Sequence, residues 1–572
     1  MTNKLFYGDN LDVLREHIAT ESVDLVYLDP PFNSNANYNI LFKSKTGDGS
    51  DAQIEAFEDT WHWNDTAEDA FDQVIRSGNT AAAELLRAMR GFLGENDMMA
   101  YLAMMAIRLI ELHRVLKQTG SLYLHCDPTA SHYLKLLLDA VFGKERFLNE
   151  IIWRRTGSHS PRRSFGPVHD TILAYTKSAA FKFNVVRRPY MRGHVESRYT
   201  EGADGKMKFT SGGNVLTGAG ATRGPSGRAW RGFDPTPKNR HWAIPAFYEE
   251  LMPQEYQTLN AVEKLEALFQ AGLVEIAEGS AWPIMVRFLD ERDGTPLTDI
   301  WAYQPYTAGC VWPDRHLGID QDVMWLGPTD PERLGYPTQK PIGLLERIVA
   351  SGSDEGDVVL DPFCGCGTAV HAAQKLGRQW IGIDITHLAI SLIEKRLKDA
   401  FPGIQFEVHG TPKDLASARD LAERDKYQFQ WWAVSMVDAL PFGGKKKGAD
   451  GGIDGIIYFK PDGKRTEKAL VSVKGGGNVS VNMIRDLHSA MEREKAPIGV
   501  FITAALPTRP METEAAAVGR FESEATGKTY PRLQIITLAE LFQGKKPDIP
   551  FVDQASVKRA KREDTGRQDR LI

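Results

Sequence analysis

The tetrapeptide Asp29-Pro30-Pro31-Phe32 follows an apolar run, VDLVYL, that is typical of a buried strand. An exocyclic base amine is a poor nucleophile, because its lone pair is delocalised into the ring. The Asp29 carboxylate and a backbone carbonyl fixed by the two prolines could accept hydrogen bonds from both of its N–H groups and aim the lone pair at a methyl donor. The Phe32 ring could stack on a base swung out of a duplex. The structural alternative is a plain proline-rich turn.

A second set of residues lies between a predicted strand and a predicted helix, in DPFCGCGT. Glycines there let the backbone approach a ligand closely, and a helix N-terminus favours a carboxylate such as that of a methionine moiety. Asp384 ends the next predicted strand, where an acid that holds two ribose hydroxyls is expected. A glycine-rich turn alone could serve any nucleotide. The predicted cofactor residues of this set are Asp361, Phe363, Gly365, Gly367, Thr368 and Asp384.

Metal chemistry is not predicted. Cys364 and Cys366 are closely spaced, but no second ligand pair lies near them, and a zinc site needs four ligands. Four cysteines in 572 residues also form no disulfide framework, which favours a reducing cytosol. The sequence opens without a secretory signal and has no long apolar stretch, so a soluble cytoplasmic protein without a membrane span is expected.

A basic region interrupts a chain whose net charge is −6. Positions 151–240 hold 17 Lys or Arg residues against five Asp or Glu residues, with Tyr and Trp interleaved. Cations displace counterions from phosphates and aromatic faces stack on bases, so DNA contact is predicted, although a solvated basic face is the alternative. The segment Arg228 to Trp242 is the predicted recognition loop. The predicted DNA-binding residues are Arg154, Arg155, Arg228, Arg231 and Arg240.

The elements that must position these residues alternate between strands and helices, which predicts an α/β fold with a parallel, doubly wound sheet. One long helix is expected from about Ala81 to Lys117. Regular patterning fades between about 179 and 335, apart from a helical piece near Pro253–Gly272, which is typical of a recognition module inserted in a scaffold. The predicted domains are 1–178, 179–335, 336–412 and 413–545, followed by a charged tail, 546–572, that is expected to be disordered.

The two motifs together resemble those of bacterial DNA amino-methyltransferases, whose active-site motif is (D/N/S)PP(Y/F/W) and whose cofactor motif is FxGxG. They stand here as DPPF at Asp29 to Phe32 and FCGCG at Phe363 to Gly367, and TQKP at Thr338 to Pro341 resembles a further family element. Their order is similar to that of the β class. The resemblance covers roughly 1–178 and 336–400. It implies a permuted, doubly wound, Rossmann-like methyltransferase core with 179–335 as an inserted target-recognition domain.

The resemblance also implies S-adenosylmethionine as cofactor, double-stranded DNA as partner, and base flipping. An Asp at the first motif position favours N6 of adenine, with N4 of cytosine as the alternative. Thr338 and Lys340 join the predicted cofactor residues, as does Asp9, although Asp9 could equally be the N-cap of the following helix. A catalytic role is conceivable for His125 and Asp127, but a hydrogen-bonded histidine that lines the base pocket is the preferred interpretation.

The region 413–545 resembles the PD-(D/E)XK nuclease fold through Asp454 and Lys474 on two predicted strands. The middle acidic position is Ser472, a poor Mg²⁺ ligand, which predicts a degenerate domain that binds DNA or a partner without cutting. A structural α/β module, a fused restriction–modification enzyme and a DNA-binding modification subunit remain alternatives. A homodimer and a separate nuclease partner are also left open.

Overall fold

The computed structural model describes residues 2–31, 63–157, 163–202, 205–209, 216–290, 294–336, 338–442, 452–462, 465–523, 527–550 and 560–563. Phe32 lies outside these residues. The chain forms two compact units, one of Met1–Val186, Thr298–Tyr303 and Asp322–Leu571, the other of Arg187–Leu297 with Gln304–Gln321.

Nine strands of the described chain form the large sheet of the first unit. In spatial order they are Ile300–Trp301, Phe147–Arg154, His169–Thr176, Leu116–Cys126, Val23–Leu28, Val358–Asp361, Gln379–Asp384, Lys4–Tyr7 and Glu407–His409. From Leu116–Cys126 onward every neighbouring pair is parallel, as predicted. The prediction of a wholly parallel sheet is wrong at the other edge, because His169–Thr176 runs antiparallel to both its neighbours. The described part of its connection from Phe147–Arg154, residues 155–157 and 163–168, has no helix, and neighbouring strands that are joined without a crossover helix pair antiparallel.

Helices cover both faces of this sheet. They are Asn10–His17, Asp65–Arg76, Thr80–Leu93, Asp97–Val115, Pro128–Phe142, Ile342–Gly352, Thr368–Lys375 and His387–Ala400. Val26 and Leu28 face one buried cluster while Leu25 and Tyr27 face the other, as the twofold period of a strand requires. The two clusters make the sheet the middle layer of three.

The single helix expected from Ala81 to Lys117 is two helices. Gly94 ends the first with a φ of 73°, a left-handed conformation that favours glycine. The Asn96 side chain then accepts a hydrogen bond from the Met99 N–H and caps the second helix. The two-residue spacing between a C-terminal glycine and an N-capping asparagine was therefore the signal that the prediction missed.

The second unit is built from short elements around its own core. Its strand pairs are Arg187–Arg188 with Thr295–Pro296, Tyr199–Glu201 with Met207–Phe209, Thr217–Ala219 with Arg240–Trp242, and Val274–Glu275 with Ile284–Met285. Its helices are Arg192–Arg198, Tyr248–Leu251 and Ala261–Gln270, with single-turn 3₁₀ pieces at Pro225–Gly227 and Thr236–Lys238 and a longer one at Gln254–Thr258. Trp230, Trp242 and Tyr248 are buried in its core. This unit lies within the predicted inserted segment, 179–335, and Ile300–Trp301 belongs to the edge of the large sheet.

The C-terminal part of the first unit carries a separate five-stranded sheet. Its order is Leu440–Pro441, Gly455–Phe459, Glu467–Lys474, Ile498–Thr503 and Leu533–Thr537, with antiparallel pairing first and parallel pairing after Glu467–Lys474. Its helices are Leu415–Arg424, Lys426–Met436, Val481–Arg493, Arg509–Ala517 and Leu538–Phe542, and Arg520–Glu522 pairs with Thr529–Pro531. This α/β sheet lies where the C-terminal α/β domain is predicted.

Part of the predicted tail is ordered, contrary to the expectation from its composition. Residues 560–563 are described, and the Glu563 N–H donates to the Ala400 carbonyl over 2.9 Å. Among the described helices, none combines the length and the apolar character needed to cross a bilayer.

Candidate active site

Three aspartates from neighbouring parallel strands meet at one edge of the large sheet. Asp29 follows Val23–Leu28, whereas Asp361 and Asp384 end the next two strands across the sheet. The carboxyl ends of parallel strands share an edge, which is where ligands bind in α/β sheets. The fold thereby brings together the turn that begins at Asp29, which is predicted to bind the target amine, and the predicted cofactor loop, Phe363 to Gly367, although about 330 residues separate them in sequence.

Lys340 joins these two parts of the site. Its ammonium group hydrogen-bonds the Asp29 carboxylate, and both side chains are more than four-fifths buried. The Lys340 carbonyl accepts a 3.4 Å hydrogen bond from the Thr368 hydroxyl, at the start of the helix after the glycine loop. The same ammonium lies 3.3 Å from the carbonyl of Thr338, whose side chain is exposed. Lys340 is predicted among the cofactor residues, and that role stays a prediction; in the structure its ammonium contacts the Asp29 carboxylate.

The glycine loop adopts backbone conformations that only glycine takes readily. Gly365 and Gly367 have φ values of 49° and 74°. A Cβ at Gly367 would lie 2.8 Å from Ile393, and one at Gly365 would lie 3.2 Å from the Tyr336 ring. Both positions therefore favour glycine on conformational grounds, and at Gly367 a side chain would also clash with Ile393. Gly367 is also the N-cap of Thr368–Lys375, so the loop feeds directly into a helix N-terminus.

Asp384 and Asp361 are buried carboxyl groups. Asp384 accepts hydrogen bonds of 2.9 Å from the Gly365 N–H and from both the N–H and the hydroxyl of Thr386. Burial raises the pKa of Asp384 to about 6, despite these donors. Burial also raises the pKa of Asp361 well above its ordinary value, and the Phe363 N–H donates to it over 3.1 Å. Burying two carboxyl groups at one sheet edge lowers the stability of the folded protein. Such a cluster of perturbed acids is typical of a functional site.

Asp9 is an N-cap. Its carboxylate accepts a 2.7 Å hydrogen bond from the Leu11 N–H and forms a 2.9 Å ion pair with Arg108. Arg108 is buried and also donates to the Asn10 side chain over 2.6 Å. The structural alternative for Asp9 is thus present, and a role in holding the cofactor adenine stays a prediction.

A buried hydrogen-bonded network begins at Tyr27, two residues before Asp29. The Tyr27 hydroxyl is 2.9 Å from Nδ1 of His125, and Nε2 of His125 is 3.3 Å from the Asp170 carboxylate. Burial opposes ionisation of Asp170, but the hydrogen bond from His125 holds its pKa below its ordinary value. Arg155 completes the network with a 3.3 Å ion pair to Asp170.

The contacts of LHCDP agree with the preferred interpretation of a hydrogen-bonded histidine, and its place in the base pocket stays a prediction. His125 is hydrogen-bonded and fully buried, and the Asp127 side chain caps the following helix through the Ala130 N–H at 3.0 Å. Sequence reasoning missed Tyr27 and Asp170. Both are polar groups inside largely buried strands, VDLVYL and HDTILAYT, and that is the signal that could have identified them.

The predicted DNA-binding arginines differ in their surroundings. Arg231 forms a two-pronged ion pair with Glu266, at 2.9 and 2.7 Å, and Arg240 donates to the carbonyl and hydroxyl of Thr217. In the other unit, Arg154 lies over the Trp325 ring. The exposed Arg228 makes no side-chain hydrogen bond or ion pair within the part of the chain that the structure describes.

The nuclease-like pair lies at the end of a hairpin in the C-terminal sheet. The Asp454 carboxylate accepts a 2.6 Å hydrogen bond from the Val473 N–H, and the Lys474 ammonium is 4.0 Å away. Ser472 is buried on the strand beside them. Over the described ranges, no group of three His, Cys, Asp or Glu side chains is arranged to hold a metal ion.

The chain belongs to the DNA methylase family, because the family profile of that description matches residues 23–395. A second profile, described as NACHT-associated inactive Restriction Endonuclease 1, matches residues 438–543. The first match covers most of both predicted halves of the core, and the second spans the C-terminal sheet.

Among curated proteins, the chain is 29% identical over 299 residues to the type II methyltransferase M.EcaI of Enterobacter cloacae, covering 52% of this chain and 57% of that protein. It is 24% identical over 387 residues to the StyLTI Mod subunit, of a type III restriction-modification enzyme of Salmonella typhimurium, covering 66% and 50%. The chain thus spans about half the length of these relatives. The structure of a DNA modification methylase from Thermus thermophilus, complexed with S-adenosyl-L-methionine, is 17% identical and covers 71% of this chain and 99% of that one. The TM-score of this match is 0.30.

Proposed function

We propose that this chain is a site-specific DNA methyltransferase that transfers a methyl group from S-adenosylmethionine to N6 of adenine in double-stranded DNA. The observation that carries the proposal is the meeting of Asp29 with the glycine loop and Asp384 at one sheet edge. Family membership supports the same chemistry.

The loop residues fit S-adenosylmethionine, which when bound supplies the sulfonium methyl. Gly365 and Gly367 bring backbone close to a ligand, and the helix N-terminus after Gly367 suits the methionine carboxylate. Asp384 is ionised above about pH 6, and a carboxylate can accept hydrogen bonds from two ribose hydroxyls. Ile385, next to it, is an exposed apolar side chain that suits the face of a purine.

Asp29 and the carbonyl of the following turn would accept hydrogen bonds from the two N–H groups of the target amine. Pro30 is buried and Pro31 half-buried, so the turn is held by its own packing. Lys340 holds the Asp29 carboxylate in place before the base arrives. Positioning and fixed dipoles therefore account for the rate, and the amine proton can leave to water once the nitrogen is methylated.

Adenine is preferred to cytosine because the motif begins with Asp. The base must leave the duplex to reach a turn at a sheet edge, so base flipping is part of the proposal. Arg228 is the best candidate for a DNA contact in the recognition loop, because Arg231 and Arg240 already bind groups of their own unit. Arg228→Ala should weaken DNA binding about threefold or more, whereas an unchanged affinity would remove it from the interface.

Single-molecule sequencing of DNA from bacterial cells that express the chain tests the proposal and reports base, position and sequence motif together. We expect N6-methyladenine at one short motif, absent from cells that express Asp29→Ala. Detection of N4-methylcytosine at a motif would show that the target base is cytosine and not adenine. Unmodified DNA, with soluble and folded protein in the cells, would contradict the proposal.

A further inference from the structure

Four residues beyond the C-terminal sheet lie against the methyltransferase core. The Glu563 N–H donates to the Ala400 carbonyl, at the end of the helix His387–Ala400. Ala560 packs on the buried cluster that contains Leu397 and Phe401. The segment 560–563 is therefore held at its backbone and through an apolar contact.

The Glu563 carboxylate contacts two side chains of the helix that follows the glycine loop. One oxygen lies 3.1 Å from Nε2 of His371, and the other lies 3.6 Å from the Lys375 ammonium. His371 is 3% exposed, so the contact is made in a largely dry environment. A charge-assisted hydrogen bond in such a place is among the stronger ones in proteins.

The proton on His371 can be placed from its partners. Arg396 donates from Nε to Nδ1 of His371 over 3.1 Å, so Nδ1 is the acceptor and the proton lies on Nε2. Burial lowers the pKa of His371 to about 4, so the ring is neutral at physiological pH. Nε2–H then donates to Glu563, as the 3.1 Å distance allows.

Arg396 carries the chain of contacts to the loop itself. It is buried, and its Nη1 donates to the Cys366 carbonyl at 3.2 Å and to the Thr368 hydroxyl at 3.0 Å. These two residues flank Gly367, the residue at which the helix begins. A continuous run of hydrogen bonds therefore leads from Glu563 through His371 and Arg396 to the glycine loop.

We infer that Glu563 is a positioning residue for the cofactor site, which fixes the His371 ring so that Arg396 can hold the glycine loop for S-adenosylmethionine. The inference rests on the proposed function. It makes the segment 560–563, which lies outside the sheet elements of both domains, a part of the cofactor-binding structure.

Calorimetric titration of the full-length protein with S-adenosylmethionine tests this. Glu563→Leu and a chain ending at Arg559 should each weaken binding about tenfold. Glu563→Gln should stay within about twofold of wild type, because its amide oxygen accepts the same hydrogen bond. The neighbouring Arg562→Gln is the matched control, since Arg562 is exposed, and should bind normally.

Hydrogen exchange separates positioning from a general loss of structure. In Glu563→Leu the amides of Gly367 and His371, which bond to Cys364 and Gly367 carbonyls, should exchange faster, with the C-terminal sheet unchanged. Unchanged affinity for Glu563→Leu, or equal losses for the Leu and Gln variants, would overturn the inference. A wild-type protein that does not bind S-adenosylmethionine would overturn the proposed function and the inference with it.

Discussion

The large sheet and the C-terminal sheet each bring acidic and basic side chains to strand ends, but they do so with different strand directions. In the large sheet, Asp29, Asp361 and Asp384 come from three neighbouring parallel strands. In the C-terminal sheet, Asp454 precedes one strand of an antiparallel pair and Lys474 ends the other. Parallel strands bring several carboxyl ends to one edge, whereas a hairpin brings together only one start and one end.

The side chains at the strand ends of the large sheet and of the C-terminal sheet differ as well. At the large sheet, two carboxyl groups have pKa values raised by burial, and a lysine binds the third acid. At the C-terminal sheet, the Asp454 carboxylate accepts a main-chain N–H, and Ser472 stands where a second carboxylate would be needed. Chemistry is therefore expected at the large sheet, whereas the C-terminal sheet has only one of the two carboxylates that a nuclease metal site would need.

The largest effect is expected from Asp29→Ala. Removing the acceptor for the target amine should lower methyl incorporation into DNA about 1,000-fold, while S-adenosylmethionine binds as before. Asp29→Asn, which keeps a hydrogen-bond acceptor, should retain more activity than the Ala variant. Tritium transfer and calorimetry measure the two quantities. Near wild-type transfer by Asp29→Ala would show that the site at the large sheet is not catalytic.

Asp384→Ala should weaken S-adenosylmethionine binding about 30-fold, because two hydrogen bonds to a charged acceptor would be lost. The wild-type affinity should fall as the pH drops below about 6, since protonation removes that acceptor. Folding stability should depend on pH in the opposite direction. Because burial raises the pKa of Asp384, its contribution to stability is present at low pH and is lost as the pH rises through about 6. Calorimetry between about pH 5 and pH 8 measures how the affinity for S-adenosylmethionine depends on pH. An affinity independent of both pH and the substitution would place the ribose elsewhere.

Lys340→Met tests whether Lys340 serves the catalytic turn at Asp29 or the binding of the cofactor. Because the ammonium binds Asp29, we expect turnover to fall about tenfold with the affinity for S-adenosylmethionine within about twofold. Steady-state kinetics separates the two constants. A raised KM for S-adenosylmethionine at unchanged kcat would return Lys340 to the cofactor role that its motif predicts.

The smallest effect is expected at the C-terminal sheet. Purified protein should not cut unmethylated plasmid with Mg²⁺ or Mn²⁺, and Lys474→Ala should leave methylation unchanged. Gel electrophoresis of the plasmid and tritium transfer provide the two readouts. Cleavage that Lys474→Ala abolishes would make this domain an active nuclease and the chain a fused restriction–modification enzyme.

Local patterns were sufficient to predict what depends on local physics. The apolar strand before Asp29, the glycines after Asp361 and the acid at Asp384 occupy fixed offsets along single elements, and the structure has each of them at the predicted strand end. The helix break at Gly94 was also encoded locally, by the glycine and Asn96, but the strong apolar pattern on both sides concealed it.

What escaped prediction depends on contacts between distant parts of the chain. Strand direction at His169–Thr176 follows from the connection and the partner strands, which alternation along one strand does not encode. Lys340 and Asp29 are 311 positions apart, and no periodicity relates them. The tail is polar, which predicts disorder, yet one carboxylate fits a buried histidine from another element.

Mass spectrometry of nucleosides, from DNA incubated with the purified chain and S-adenosylmethionine, tests the central claim most directly. We predict that N6-methyladenine accumulates with the wild-type protein and falls to background with Asp29→Ala, under conditions where both proteins bind the cofactor. Methylated DNA at equal levels from both proteins, or no methylated base from a wild-type protein that binds S-adenosylmethionine, would contradict it.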